Sequence, residues 1–228
     1  MDLAPFEIGC FPVTEELRAR VSGLAPSISR RPATDMTWWD VIRFCNEASA
    51  LAGLPAAYTL DNGAAEWHPE RPGYRLPTEA EWEHACRAGT SGPRYGDLGE
   101  VAWTAADGVG SPQIVGMKRP NTFGLFDTLG NTWEWCWDFL DPARYGEYRV
   151  FRGGGFADEA WSVRASVRRG GGPDMHHEDV GFRIARGAVA GGEMVQGWSA
   201  RTDRERAQMP GPRPAGWTPR RIKALEAH

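Results

Sequence analysis

Between Asn121 and Asp138 the chain reads Asn-Thr-Phe-Gly-Leu-Phe-Asp-Thr-Leu-Gly-Asn-Thr-Trp-Glu-Trp-Cys-Trp-Asp, and no other segment restricts the fold so tightly. Three tryptophans and two phenylalanines share it with Asp127, Asn131, Glu134 and Asp138. The pattern is neither that of an amphipathic helix nor that of an ordinary alternating strand. Gly124 and Gly130 divide it into turns, where glycine reaches backbone angles that other residues avoid. Acids set among large aromatics cost several kcal/mol unless each finds donors or a cation. Two solutions are open. The carboxylates can accept backbone N–H groups in a buried turn, or a hard cation such as calcium can gather carboxylate and carbonyl oxygens together.

The rest of the chain is punctuated in a way that places short elements around this stretch. Phe6-Glu7-Ile8 reads as an early strand, and Thr14 caps a short helix whose first turn holds Glu15 and Glu16. Residues 26–32 form a basic, proline-bounded connection. Thr37 and Asp40 predict a capping box, followed by a buried stripe of Trp38, Val41, Ile42, Cys45, Ala48 and Ala52 at helical spacing, stopped by Gly53 and Pro55. Tyr58-Thr59-Leu60 and Glu66-Trp67-His68 read as a strand pair around Asp61-Asn62-Gly63, with His68 a surface turn residue. Thr78 and Glu81 open a helix to about Ala88, ended by Gly89; Glu79, Glu81 and Glu83 are read as capping and solvent-facing acids. Residues 90–120 form a long connection anchored by Tyr95, Trp103 and Val115, and residues 139–148 an aromatic loop. Residues 149–152 form a strand running into the Gly153-Gly154-Gly155 turn. Alternation over residues 161–168 predicts a strand that sends Arg164 and Arg168 the same way. Residues 169–178 are a loop, and Gly181-Phe182-Arg183-Ile184 a closing strand.

Four ordered segments also carry a family resemblance. Gly-Leu-Phe-Asp-Thr-Leu-Gly-Asn-Thr-Trp-Glu-Trp resembles the signature of the formylglycine-generating enzymes, also called sulfatase-modifying factors. Gly73-Tyr74-Arg75-Leu76-Pro77-Thr78-Glu79-Ala80-Glu81-Trp82-Glu83 is similar to the family's other hallmark, and Arg152-Gly153-Gly154-Gly155 with Val180-Gly181-Phe182-Arg183 to its closing pair. The resemblance spans about residues 5 to 186. It implies an α+β domain with a C-type-lectin-like core, loop-rich and low in regular secondary structure. It further implies a structural calcium held by Asp127, the carbonyls of Gly130 and Thr132, and Glu134. Where relatives place a second calcium beside an asparagine, this chain has Val101-Ala102-Trp103, so no second calcium is expected. His84 stands where relatives commonly carry tyrosine and is read as a packing residue.

Composition bounds the alternatives. With 228 residues the chain suits one domain of moderate size, and its 28 glycines and 17 prolines point to many turns. The net charge of −4 argues against nucleic acid as the default partner. Residues 187–228 hold seven basic and four acidic side chains, so this segment is about +3 and the body about −7. The division expected is therefore a domain over residues 1–186 and a Gly/Pro/Arg-rich, partly extended tail over 187–228, free to bind a protein partner. Residues 194–198 can add a strand or dock, residues 209–214 read as an extended linker, and residues 219–228 as a short helix. No apolar run approaches a membrane span and no basic-then-apolar leader opens the chain. Cys10, Cys45, Cys86 and Cys136 are too scattered for a disulfide framework or zinc site, and a cytoplasmic location is expected.

Chemistry is less legible. Formylglycine-generating enzymes proper use two cysteines after a Gly-Gly-Ser turn to bind copper(I), whose softness suits thiolates, and oxidise a cysteine in a bound peptide. Here no cysteine follows Cys136 and Gly155 replaces the serine, so no copper–thiolate site is expected and formylglycine generation is not. Among the family's relatives, the ergothioneine sulfoxide synthases draw iron ligands from an additional helical domain that nothing here supplies. The pyoverdine-maturation enzyme oxidises a peptide-derived ring without the cysteine pair. The variable proteins of diversity-generating retroelements use the fold only to bind, through the stretch between Gly-Gly and Gly-Phe-Arg. In that stretch His176, His177 and Glu178 offer ligand types for iron or another redox metal, although neighbours on an extended chain face opposite ways, so at most one histidine can aim inward, and a solvated loop is the alternative. Asp158, Trp161, Arg164 and Arg168 are the substrate-binding candidates; the two arginines either clamp a carboxylate or phosphate, or pair with Glu159 or Asp174. Two functions follow: a metal-dependent oxidase of a peptide or amino-acid-derived substrate, or a calcium-braced binding module.

Overall fold

The computed structural model describes residues 3–210. Strand β4 (Trp133–Phe139) is the second half of the aromatic and acidic stretch, and every residue of it except Asp138 is buried. It lies inside a four-stranded sheet ordered β6 (Arg168–Gly171), β5 (Arg149–Arg152), β4 and β7 (Val180–Gly181). The β6–β5–β4 pairs are antiparallel, whereas β4 and β7 run parallel. Both faces of β4 are covered, which is why its apolar residues do not alternate with exposed ones. Trp133, Trp135, Trp137 and Phe151 belong to the larger core, with Trp38 and Phe44 of helix α2 (Trp38–Leu51). Cys136 and Val150 belong to a second core with Trp82 and Cys86 of helix α3 (Glu79–Arg87). The odd positions of β4 thus meet α2 and the even ones α3.

Local sequence chemistry accounts for the flanking elements. Thr37 with Asp40 and Thr78 with Glu81 form the two capping boxes, and Thr14 caps helix α1 (Glu15–Val21) by accepting from the Leu17 N–H. Helix α3 ends where Ala88 turns left-handed, φ 44°, ahead of Gly89. Strands β2 (Tyr58–Asp61) and β3 (Ala64–Trp67) pair as a hairpin whose two-residue turn, Asn62 and Gly63, has positive φ at both positions. Strand β1 (Glu7–Ile8) pairs antiparallel with β8 (Ala185–Arg186) and closes the body. Two short helices, α4 (Leu98–Val101) and α5 (Pro142–Tyr145), lie within stretches read as loops.

Several expectations are corrected. Residues 161–168 are not an alternating strand: Ala160–Ser162 is a 3₁₀ turn, and Ser162, Val163 and Ala165 are all buried, so packing overrides the period-two pattern. Regular pairing begins only at Arg168. The closing strand read over residues 181–184 is interrupted: β7 ends at Gly181 and β8 begins at Ala185, while between them Phe182 packs edge-on against Phe44 and Arg183 turns to Glu134. The segment after Arg186 docks over its described length, one of the two readings given for residues 194–198. Val189 and Val195 join the larger core, Trp198 packs on Trp67 and Trp137, and helix α6 (Ala200–Gln208) follows with Ser199 as its N-cap. Gln196, φ 50°, exchanges hydrogen bonds with the Ala4 backbone and donates to Glu81 Oε1 at 2.7 Å. Residues 211–228, including the short helix read over 219–228, lie outside the described residues.

Candidate functional site

The buried acids of the central stretch find their donors inside the chain. Glu134 is 1% exposed and takes a bidentate ion pair from Arg183, Nε to Oε2 and Nη2 to Oε1, both at 2.7 Å. Trp82 Nε1 donates to Oε2 at 2.7 Å. Arg183 also donates to the Gly9 and Phe126 carbonyls, tying the start of the chain to the turn. The same device recurs in the other hallmark motifs. Arg75 pairs with Glu81 through two bonds of 2.6 and 2.7 Å, both side chains fully buried. Arg152 reaches Glu79 at 2.7 Å and Glu83 at 2.5 Å. Glu79, Glu81 and Glu83 are therefore ion-pair partners, which corrects their reading as solvent-facing acids. Each glutamate of the helix meets an arginine that comes from a different turn of the chain.

Asp127 and Glu134 are both interior, as a cation site between them requires. Asp127 has φ 56° and its Oδ2 accepts the Gly116 N–H at 2.7 Å, while Oδ1 is buried with no hydrogen-bond partner. Burial first of all pushes the Asp127 carboxyl up to about 6, partly offset by that N–H and by Arg183. Glu134 uses three of the roughly four lone-pair positions of a carboxylate. An unpartnered carboxylate oxygen within the field of Glu134 fits a hard cation, and Asp127 with Glu134 and the carbonyls of Gly130 and Thr132 would hold it. Gly130, φ +69°, is forced: a Cβ there would stand 2.2 Å from the Trp103 carbonyl oxygen.

The stretch between the glycine turn and β7 forms an exposed polar and aromatic face. Asp158 organises it by accepting from Trp133 Nε1 at 2.7 Å and from the Gly155 N–H at 2.8 Å. Arg169 lies 4.7 Å from the Trp133 ring centroid, pairs with Asp158 Oδ1 at 3.1 Å and donates to Ser162 Oγ. Trp161 stands clear of the body at 67% exposure. Arg168 pairs with Glu79 through Nε and Nη2, at 2.8 and 2.6 Å. Arg164 is half-buried, its Nε without an acceptor. With the predicted strand absent, Arg164 and Arg168 do not form a clamp.

The two histidines separate as extended-chain geometry requires. His177 turns in beside Trp135 and Phe151, ring centroids 5.9 and 5.7 Å away, and its buried Nε2 has no partner. A Cβ at Gly171 would approach that nitrogen to 2.6 Å, so the glycine makes room for the ring. His176 is exposed and contacts the Asp35 carbonyl at 3.0 Å. It borders a cavity with Thr37, Trp39, Asp40 and Arg43 that includes neither Arg164 nor Arg168. Glu178 is exposed. Among the described residues no three His, Cys, Asp or Glu side chains are grouped as metal ligands. Sequence reasoning missed the Trp133–Asp158–Arg169 arrangement, whose one signal was an acid three residues beyond Gly155.

The sulfatase-modifying factor enzyme 1-like domain matches residues 1–188. The chain is 29% identical over 231 residues to the chaperone protein LppX of Paenibacillus barcinonensis, covering 81% of each. It is 36% identical over 149 residues to the formylglycine-generating enzyme of Streptomyces coelicolor, covering 51% of this chain and 48% of that one, so it spans about half of the enzyme's length. Among solved structures, Treponema denticola variable protein 1 superposes with a TM-score of 0.74 at 30% identity, over 81% of this chain and 85% of that one. These matches, together with the buried arginine–glutamate pairs of the four motifs, place the chain in the family of the sulfatase-modifying factor enzyme 1-like domain.

Proposed function

We propose that this family member is a calcium-braced binding module that presents the face around Trp161, Arg169 and Trp133 to a peptide. The observation that carries it is the state of the polar groups on that face. Arg168 and Arg169 are ion-paired with Glu79 and Asp158, the two histidines point apart, and the most exposed large apolar group of the stretch is an indole. A preformed aromatic and ion-paired surface suits recognition, since it needs little ordering when a partner arrives. The relative named a chaperone, matched along most of its length, supports a protein-directed role. Calcium, held by Asp127, Glu134 and the carbonyls of Gly130 and Thr132, braces the turn beneath the face. The unpaired thiols of Cys45, Cys86 and Cys136 support a cytoplasmic location.

The test is a random-peptide display library panned on the intact chain. Selected peptides are expected to lose at least about tenfold in affinity when Trp161→Ala is introduced, with the melting temperature unchanged. Failure to select any binder, or binders indifferent to this substitution, would refute the assignment. An oxidase of a peptide-derived substrate is the second reading, favoured by the buried, unpartnered His177 Nε2. Oxygen consumption dependent on a peptide and abolished by His177→Ala would replace the binding reading with it.

A further inference from the structure

The face just described shares no residue with a cavity of about 450 Å³ enclosed by the β2–β3 hairpin, the end of β4 and the C-terminal segment. Trp67, Trp137 and Trp198 form its aromatic wall, with ring centroids 5.6 to 5.9 Å apart. Phe139 and Arg149 complete the lining on the β4–β5 side.

Arg149 is the unusual member. It is 3% exposed, and its guanidinium carbon lies 3.9 Å from the Trp38 ring centroid and 3.7 Å from that of Phe139. Nη1 donates to the Trp137 carbonyl at 2.6 Å, but the buried Nε has no acceptor. Trp67 Nε1 and Trp137 Nε1 are likewise buried and unpartnered. Arg149 Nε, Trp67 Nε1 and Trp137 Nε1 are thus three buried donors without acceptors on residues that line one cavity, a costly arrangement, the atoms themselves being screened from its space. Desolvation pushes the guanidinium down to about 9, even with the fields of Asp203, Asp138 and Glu147 opposing that shift. A ligand's negative charge would join those acids against the guanidinium, and the cavity walls favour an apolar body.

The rim narrows the class. Glu66 and Glu70 stand on one side, their side chains 56% and 61% exposed, with Arg201 and Arg204 on the other. With Glu193 the rim holds three acids against these two arginines, which disfavours a dianion such as phosphate more than a single carboxylate. We propose that this cavity binds a small organic monocarboxylate with an aromatic or aliphatic body, the carboxylate against Arg149 and the body against Trp67, Trp137 and Trp198. The C-terminal segment supplies Trp198 and Ala200 to the lining, so the site exists only because that segment docks.

Calorimetric titration and intrinsic tryptophan fluorescence with indole-3-acetate and 3-phenylpropionate test this, beside their neutral amides and inorganic phosphate. The acids are expected to bind saturably at one site, the amides at least tenfold more weakly, and phosphate not at all. Arg149→Met should abolish the preference for acid over amide. Ala200→Phe fills the cavity without touching the arginine, and should abolish binding with the fold retained; it decides the matter if Arg149→Met does not fold. No saturable binding of either acid, equal binding of acid and amide, or binding untouched by Ala200→Phe would overturn the proposal.

Discussion

At the scale of single residues, the chain solves a repeated problem, an acid inside an aromatic core, with an arginine delivered from a distant turn. The bidentate geometry of guanidinium on carboxylate is what makes the arrangement tolerable, since a lysine would leave one oxygen unpaired. Removing one partner of such a pair leaves an uncompensated buried charge and costs about 3–5 kcal/mol. Glu134→Gln is therefore expected to lower the melting temperature by roughly 6–20 °C, at about 2–4 °C per kcal/mol for a chain of this size. Scanning calorimetry checks the drop. The same instrument tests the metal: millimolar calcium should raise the melting temperature of the native chain and leave Asp127→Ala unmoved. An equal calcium response in both proteins would remove the ion from Asp127.

Elements are joined here by side chains that act across their ends. Asp138, at the end of β4, accepts the N–H of Glu79, the first residue of α3, at 2.6 Å. This sets a carboxylate at a helix N-terminus, yet desolvation of the half-buried side chain dominates and pushes its carboxyl up to about 7, with Glu79 adding to the shift. The sign follows from linkage. The folded-state pKa lies above the unfolded value, so the native state holds the extra proton and stability falls as pH rises from about 4 to about 7. Asp138→Asn keeps an acceptor for the Glu79 N–H and removes the titration. Its denaturant midpoint is expected to be flatter across that interval than that of the native chain, and higher at pH 7.5. An unchanged pH slope would show that Asp138 ionises without penalty.

On the scale of the whole molecule, the C-terminal segment is part of the body although the family domain ends before it. Val189 and Val195 enter the larger core, Trp198 covers Trp67 and Trp137, and Gln196 donates to the buried Glu81. Deleting residues 189–228 would bare two indoles and withdraw a donor from a buried carboxylate. Each large apolar side chain returned to water costs about 1.5–3 kcal/mol, so a fall of about 10 °C or more in melting temperature is expected, with new binding of a hydrophobic dye. An unshifted transition would mark the segment as an independent appendage.

Much of this fold was legible beforehand because it is written locally. Capping boxes at Thr37 and Thr78, the Asn62-Gly63 turn and the helical stripe of α2 depend on neighbours within a few residues, and the sequence alone determined them, as it determined family and fold class. It also showed that Glu134 must find hydrogen-bond donors or a cation. Which charge it met was decided only by the tertiary structure, since Arg183 lies 49 residues away and no local pattern links the two. The misread strand over residues 161–168 failed for the same reason: burial of Ser162, Val163 and Ala165 is set by the sheet they cover, not by their own order. The cavity around Arg149 could not be read at all, because its walls come from four separated segments that only long-range packing brings around one space.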